Sequence, residues 1–380
     1  MFWLWIRGGL SVEFLLYLEV AMSNKSTIAK RENLPELTPR EQELLQYIIQ
    51  NFIVTASPVA SKTLVDKHQL NISPATVRNT LTSLEKKGLL QHPHTSAGRI
   101  PTDEGYRYYV NSLMRVSNLS DKELEHLDRL SDYINVGMDE AVKSASRMLA
   151  RLSNLLAVVV APKLAGGVFR KLELISLSST RLMIVLTVES GLVKTISIEV
   201  ESEIDRNELD SITRVLNERL SGIVLSEIPR KIRLMLSDYE AEDKTGLIRM
   251  FIDSADTIFD NRDVHNFHFG GVEYIALQPE FTDLSQYRSI VELVEDEDMI
   301  VHLFDDAKEL AQNDDEVVVR IGNENKLQQI EQCSVVSTNY RIGNIKGTIG
   351  LVGPTRMNYP RMVALVEQLA SRFNKIGFNE

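Results

Sequence analysis

Residues 73–102 read SPATVRNTLTSLEKKGLLQHPHTSAGRIPT. Within them Val77, Leu81 and Leu84 repeat at helical spacing, so one face is apolar. Ser73-Pro74 supplies an N-cap followed by a proline at the first helical position, and Gly88 after Lys86-Lys87 supplies a stop. Beyond the stop, Leu89–Gln91 and Arg99–Ile100 have the length of two short strands, with His92–Gly98 as the tip between them. The stretch therefore predicts a capped helix running into a hairpin.

Working upstream, Thr38-Pro39 repeats the cap-and-proline start, with Glu41 in the first turn. Leu45, Ile48, Ile49 and Phe52 then give one apolar face. Ser57-Pro58 breaks that helix, and Ser61 opens a short second one through Lys67 with Leu64 and Val65 inward. Three short helices followed by a hairpin make the winged form of helix-turn-helix. Downstream, Thr102 caps a further helix, DEGYRYYVNSLM, that carries the chain away.

With Val77, Leu81 and Leu84 inward, the opposite face of the third helix shows Thr76, Arg78, Asn79, Thr82, Ser83, Lys86 and Lys87, free of carboxylates until Glu85. Arginine and asparagine match guanine and adenine edges in the major groove. Serine, threonine and lysine suit phosphate oxygens, as do the free backbone N–H groups of a helix start, here from Ser73 to Thr76. A polar face alone is also what any solvated helix presents. The neighbouring acid-free tip shifts the balance, because His94, Thr95, Ser96 and Arg99 offer donors to a backbone or minor groove. His92 and His94 have no third ligand nearby, so no metal is expected there.

The net charge of −11 hides an uneven distribution. Residues 22–115 carry 12 Lys/Arg against 8 Asp/Glu, whereas residues 116–380 carry 29 against 43. A basic module on an acidic body fits local contact with an anionic polymer. The single cysteine, Cys333, excludes an intramolecular disulfide and suits a reducing, cytoplasmic setting. Residues 1–21 are apolar, but Arg7, Glu13 and Glu19 interrupt them, so neither a membrane span nor a secretory signal is expected and the segment reads as a dispensable extension.

After a helical stretch at 116–153, the period changes to that of strands: AVVVAP, FRKLELISLS, RLMIVLTVE and LVKTISIEV. Helices are predicted at 205–220 and about 243–260, a strand at GVEYIAL (271–277), and a helical pair near 283–312. VVVRIG, CSVVSTNY and GTIGLVGP read as strands before a terminal helix, YPRMVALVEQLASRFNKI. Strands on both sides of a helical block predict an α+β multidomain chain, with one domain split by an insertion.

The glycines of GTIGLVGPTRMNYPR (347–361) fit neither a P-loop nor GxGxxG. Gly353, Thr355 and Arg356 are instead expected at a domain junction, with a small-ligand pocket as the alternative. Neither HExxH nor GxSxG occurs. Cys333 falls in a strand, where a thiol acts as a small hydrophobe. The phenylalanines around His265 and His268 favour packing over a metal pair, and the acidic runs 292–298 and 305–306 read as solvated helix surface. No catalysis, cofactor or metal is expected.

Residues 73–110, SPATVRNTLTSLEKKGLLQHPHTSAGRIPTDEGYRYYV, resemble the DNA-binding module of the HrcA-type heat-inducible transcription repressors of bacteria. PVASKTL (58–64) and GPTRMNYPR (353–361) are similar to two further segments of that family, so the resemblance spans about residues 38–380. An apolar extension and polar lead at 1–37 lie outside it; it implies a winged-helix domain at 38–115, which the helical linker read at 116–153 joins to the body. A GAF-like domain at 154–203 plus 271–380 and an inserted dimerisation domain at 204–270 complete the expected layout. It further implies a homodimer bound to an inverted repeat in double-stranded DNA, repression of chaperone operons, and support from the GroE chaperonin. An alternative keeps the winged helix and makes the GAF-like domain a sensor of a small-molecule inducer.

Overall fold

The computed structural model describes residues 34–68, 73–93, 98–134, 136–200, 205–240, 243, 245–259, 267–282, 284–296, 298–300, 302–304 and 316–376. Helix α1 (Pro39–Thr55) begins in a reciprocal cap: the Glu41 amide donates to the Thr38 hydroxyl, and the Thr38 amide donates 2.8 Å to the Glu41 carboxylate. Its buried Leu44, Leu45, Ile48 and Ile49 meet Leu64 of α2 (Ser61–His68) and Val77, Leu81 and Leu84 of α3 (Pro74–Lys86). Ser73 caps α3, accepting from the Thr76 amide at 3.1 Å.

Strands β1 (Leu90–Gln91) and β2 (Ile100–Pro101) form an antiparallel pair. Arg99 also bridges to Val59, in the turn before α2, through two backbone hydrogen bonds of 2.9 and 3.0 Å. That bridge brings the hairpin against the Val59–Ala60 backbone, where a Cβ on Gly98 would lie 2.4 Å from the Val59 carbonyl. Only a glycine fits there. The next helix, α4 (Asp103–Tyr108), passes into a π-helical turn at Tyr109–Leu113.

The expected linker is packed, not free-standing. Helices α5 (Asp121–Asp128), α6 (Leu130–Ile134) and α7 (Met138–Ser153) bury Leu127, Leu130, Val142 and Leu149 in the same apolar core as the N-terminal helices. That core continues onto a five-stranded antiparallel sheet in the order β7-β3-β10-β9-β8. The strands are β3 (Leu156–Val160), β7 (Phe267–Gly270), β8 (Val318–Ile321), β9 (Cys333–Ile342) and β10 (Ile345–Pro354). Alternation along β3 sends Ala157 and Val159 toward α7 and the terminal helix α15 (Tyr359–Ile376), and Leu156 and Val158 to the opposite core. That second core holds Ile290 and Leu293 of α14 (Leu284–Glu295), the buried thiol of Cys333 and Phe304. The glycines of β10 make room for side chains: a Cβ on Gly347 or Gly350 would strike the Tyr340 or Phe304 ring.

One expectation is overturned. The apolar run GVEYIAL does not form a strand; Phe267–Gly270 pairs with β3 instead, and Val272–Ile275 is the short helix α13. Gly271, at φ +83°, turns the chain between them, and Val272 and Ile275 sit three apart, the spacing of a helix face; in a strand they would point to opposite sides. The chain on the two sides of 203/204 packs into a single core. Strands β4 (Phe169–Ser178), β5 (Arg181–Val188) and β6 (Val193–Glu199) form their own three-stranded sheet. Phe169, Leu172, Ile184 and Leu186 of that sheet pack on α8 (Arg206–Leu220), α9 (Ile228–Met235), α11 (Leu247–Asp253) and α12 (Ala255–Phe259). A four-residue helix, α10 (Ser237–Glu240), precedes α11. Strands 169–199 therefore share their apolar core with helices 206–259.

Candidate nucleic-acid interface

Helix α3 presents its polar side as a protruding face. Ser73, Arg78, Asn79 and Lys86 are exposed, and Thr76 and Thr82 are half-buried. Arg78, Asn79 and Lys86 have no side-chain partner among the described residues, so their donors are available. Thr76 and Thr82 are turned back onto the helix: Thr76 shares a 3.0 Å hydrogen bond with Ser73, and Thr82 donates to the Arg78 carbonyl. At the helix start the Ser73 cap takes the Thr76 amide, and Pro74 has no N–H to offer.

Three other candidates are committed inside the protein. Ser83 donates 2.8 Å to one oxygen of Glu41, and Lys87 donates 2.9 Å both to the other oxygen and to the Glu36 carbonyl. Burial alone would raise the Glu41 carboxyl; the Thr38 amide, Lys87 and the Ser83 and Thr38 hydroxyls outweigh it and hold the group at about 2. Glu41 thereby ties the start of α1 to the end of α3. Arg99 sits between α3 and the hairpin, with one guanidinium nitrogen 2.8 Å from Glu85 and another 2.7 Å from His92 Nδ1. Glu85 is thus occupied by Arg99. Sequence reading assigned Glu41 only to a first turn, and a capping box carries no mark of its long-range partners. His94, Thr95 and Ser96 lie outside the described residues.

Glu41→Gln is expected to cost about 1.5–3 kcal/mol, the range of a hydrogen bond to a charged group. Because the folded carboxyl titrates near 2 and the unfolded one near 4.5, its contribution is present above pH 4.5 and is lost as pH falls toward 2. Thermal melting of wild type and variant across pH 2–7 checks this: the difference should shrink on acidification.

The C-terminal candidates sit at a different place. Gly353 is buried against Leu155, and the Thr355 carbonyl accepts from the Tyr359 hydroxyl. Arg356 pairs with Glu280 and donates 3.0 Å to Gln278 and 3.1 Å to the Ile53 carbonyl at the end of α1. A cleft of about 640 Å³ lies nearby between α1, the π-helical turn and the start of α15, with Gln46, Gln50, Arg115 and Asn358 in its walls. Gly353, Thr355 and Arg356 do not line it. His268 lies 2.8 Å from Asp139, His265 lies outside the described residues, and no cluster of three metal-ligating side chains occurs among the described residues. Among those residues, no helix is long and apolar enough to cross a membrane.

The family model for the HrcA protein C terminal domain matches residues 139–363. The heat-inducible transcription repressor HrcA of Chlorobium phaeobacteroides (strain BS1) is 38% identical over 346 residues, covering 89% of this chain and 98% of that protein. The chain belongs to the HrcA family. The HrcA repressors of Prosthecochloris aestuarii and Chlorobium luteolum are 38% and 39% identical, covering 89% and 88% of this chain and 97% and 96% of their own lengths. Since the C-terminal family match begins at residue 139, α3 and its hairpin fall to these longer HrcA alignments. A crystal structure described as that of a hypothetical protein superposes with a TM-score of 0.62 at 23% identity, over 90% of this chain and 99% of that one, which shows a shared fold.

Proposed function

We propose that this chain is a cytoplasmic repressor of heat-shock genes that binds an inverted repeat in double-stranded DNA as a homodimer. The observation that carries it is the free Arg78, Asn79 and Lys86 on a helix whose other polar residues anchor it. Residues 38–115 act as a winged helix: α3 enters the major groove, and the 92–98 tip lies along the adjacent backbone or minor groove. Arg78 and Asn79 read base edges, while Ser73, Thr76 and Lys86 meet phosphates. Ser83, Lys87 and Arg99 are better read as supports, given their internal partners. The β3–β10 sheet belongs to a GAF-like domain, the 169–259 unit carries the dimer contact, and the GroE chaperonin maintains the active pool. The relatives' shared name, heat-inducible transcription repressor, supports this reading.

Binding to a palindrome and to a single half-site over a salt series tests it. The palindrome should bind two protomers, and Lys86→Ala should reduce the log–log salt slope by about 0.9 for each phosphate that is no longer neutralised. A palindrome that binds no better than its half-site would contradict the dimeric reading.

The cleft beside α1 favours a second reading, in which a small molecule acts at that junction. A ligand there would raise the melting temperature, with the logarithm of its free concentration once that exceeds Kd.

A further inference from the structure

The N-terminal helices are fastened to the body by polar ties set around one apolar core. Tyr106 of α4 and Tyr359 of α15, both fully buried, lie with ring centroids 5.7 Å apart at this junction. Beside them, Arg107 of α4 is only 3% exposed. Its Nε donates 2.8 Å to Glu324, a terminal nitrogen forms the second arm to the same carboxylate, and that nitrogen also donates to the Val319 carbonyl at 2.5 Å. Glu324 accepts in addition from the Ile321 amide at 2.9 Å. Next to this pair, Asp103 accepts from the Asn323 amide and side chain, both at 3.1 Å. At the far end of the junction, Arg356 joins Glu280 to the Ile53 carbonyl.

A buried ion pair adds little net stability over apolar residues of similar volume, so stability is a weak reason for one here. What a two-armed guanidinium–carboxylate pair adds is direction: both arms close at one relative orientation, whereas apolar faces slide. We propose that the Arg107–Glu324 pair is a specificity-determining device that fixes the pose of α3 on the body and so sets which half-site spacing the dimer accepts. This rests on the dimeric reading above. In a dimer, the two α3 helices are connected through this junction in each protomer. A rigid connection matches one spacing with high effective concentration; a loosened one tolerates several, each at lower effective concentration. Arg107 and Glu324 are therefore positioning residues and touch no base.

The test uses full-length protein and inverted repeats whose spacer changes by single base pairs through one helical turn, about 10 base pairs. A single half-site is the control. Wild type is compared with Glu324→Gln, which strands the Arg107 charge, and with the double variant Arg107→Met/Glu324→Gln, which removes that charge. The expected result is a sharp optimum for wild type. Glu324→Gln should keep half-site affinity yet lose about tenfold at the optimum and flatten the profile, and the double variant, which has neither arm, should stay flat. An unaltered profile in Glu324→Gln would overturn the proposal. If wild type itself shows no gain from the repeat over the half-site, the dimeric reading fails first. Should Glu324→Gln also lose half-site binding, the double variant takes its place, with flattening expected and an unaltered profile again overturning the idea.

Discussion

Replacing Arg78 by alanine is expected to remove most of the preference for operator over scrambled DNA while scarcely changing binding to the scrambled sequence. Arg78 is exposed, has no partner among the described residues, and supports no packing, so the substitution leaves the fold intact. One good bidentate base contact contributes about 1–3 kcal/mol of discrimination. In the proposed two-fold dimer it is made twice, so the operator-to-scrambled ratio should fall on the order of 30-fold or more. Competition binding of both DNAs at one salt concentration measures that ratio directly. Arg99→Ala should behave differently: Arg99 holds Glu85 and His92, so its removal frees the hairpin and weakens all DNAs together.

Gly98→Ala is expected to have the largest effect on stability. Its Cβ would be 2.4 Å from both the carbon and the oxygen of the Val59 carbonyl and 2.8 Å from the Ala60 amide nitrogen. Those are backbone atoms, which cannot swing aside as a side chain can. Relief requires parting the Val59–Arg99 bridge and breaking both its hydrogen bonds. The cost should reach about 3 kcal/mol, at the upper end of overpacking penalties, and the hairpin should detach from the turn before α2. Gly88→Ala is the matched control. Gly88 is in the left-handed region, at φ +77°, but nothing lies within 4 Å of its missing Cβ, so only the backbone cost of about 1–2 kcal/mol applies. Melting curves for the two variants should separate them, and hydrogen exchange at the Arg99 amide should rise only in Gly98→Ala.

Much of the fold was legible because local chemistry decided it. Thr38-Pro39, Ser73-Pro74 and Thr102 each start a helix where cap chemistry predicts, and Val77, Leu81 and Leu84 are all buried. Strands β5 and β6 alternate in burial, whereas β3, β8, β9 and β10 are buried on both faces, as the unbroken apolar run of β3 allows. What alternation cannot state is which strands pair. Strands 169–199 read like neighbours of β3, yet their buried face belongs to helices that come later in the chain, and only that packing shows it. Likewise the short apolar run at 271–277 reads as either element, although Val272 and Ile275 carry the helical spacing that the structure uses.

The site divides in the same way. Residue type and helical phase identified the polar face of α3, but not which of its members were already taken. Ser83 and Lys87 find Glu41 across more than 40 residues, and Arg107 finds Glu324 across 217, distances over which sequence gives no signal. The acid-free face was legible; the acids that anchor its edges were not.

The most direct measurement is the affinity of the full-length protein for an inverted-repeat operator and for a scrambled duplex of equal length, by fluorescence anisotropy at fixed salt. The account predicts a clear preference for the operator, of about a thousandfold or more, the lower bound for specific over non-specific binding. Equal affinity for both duplexes in folded, chaperonin-treated protein would contradict it, since the free face of α3 would then read no bases.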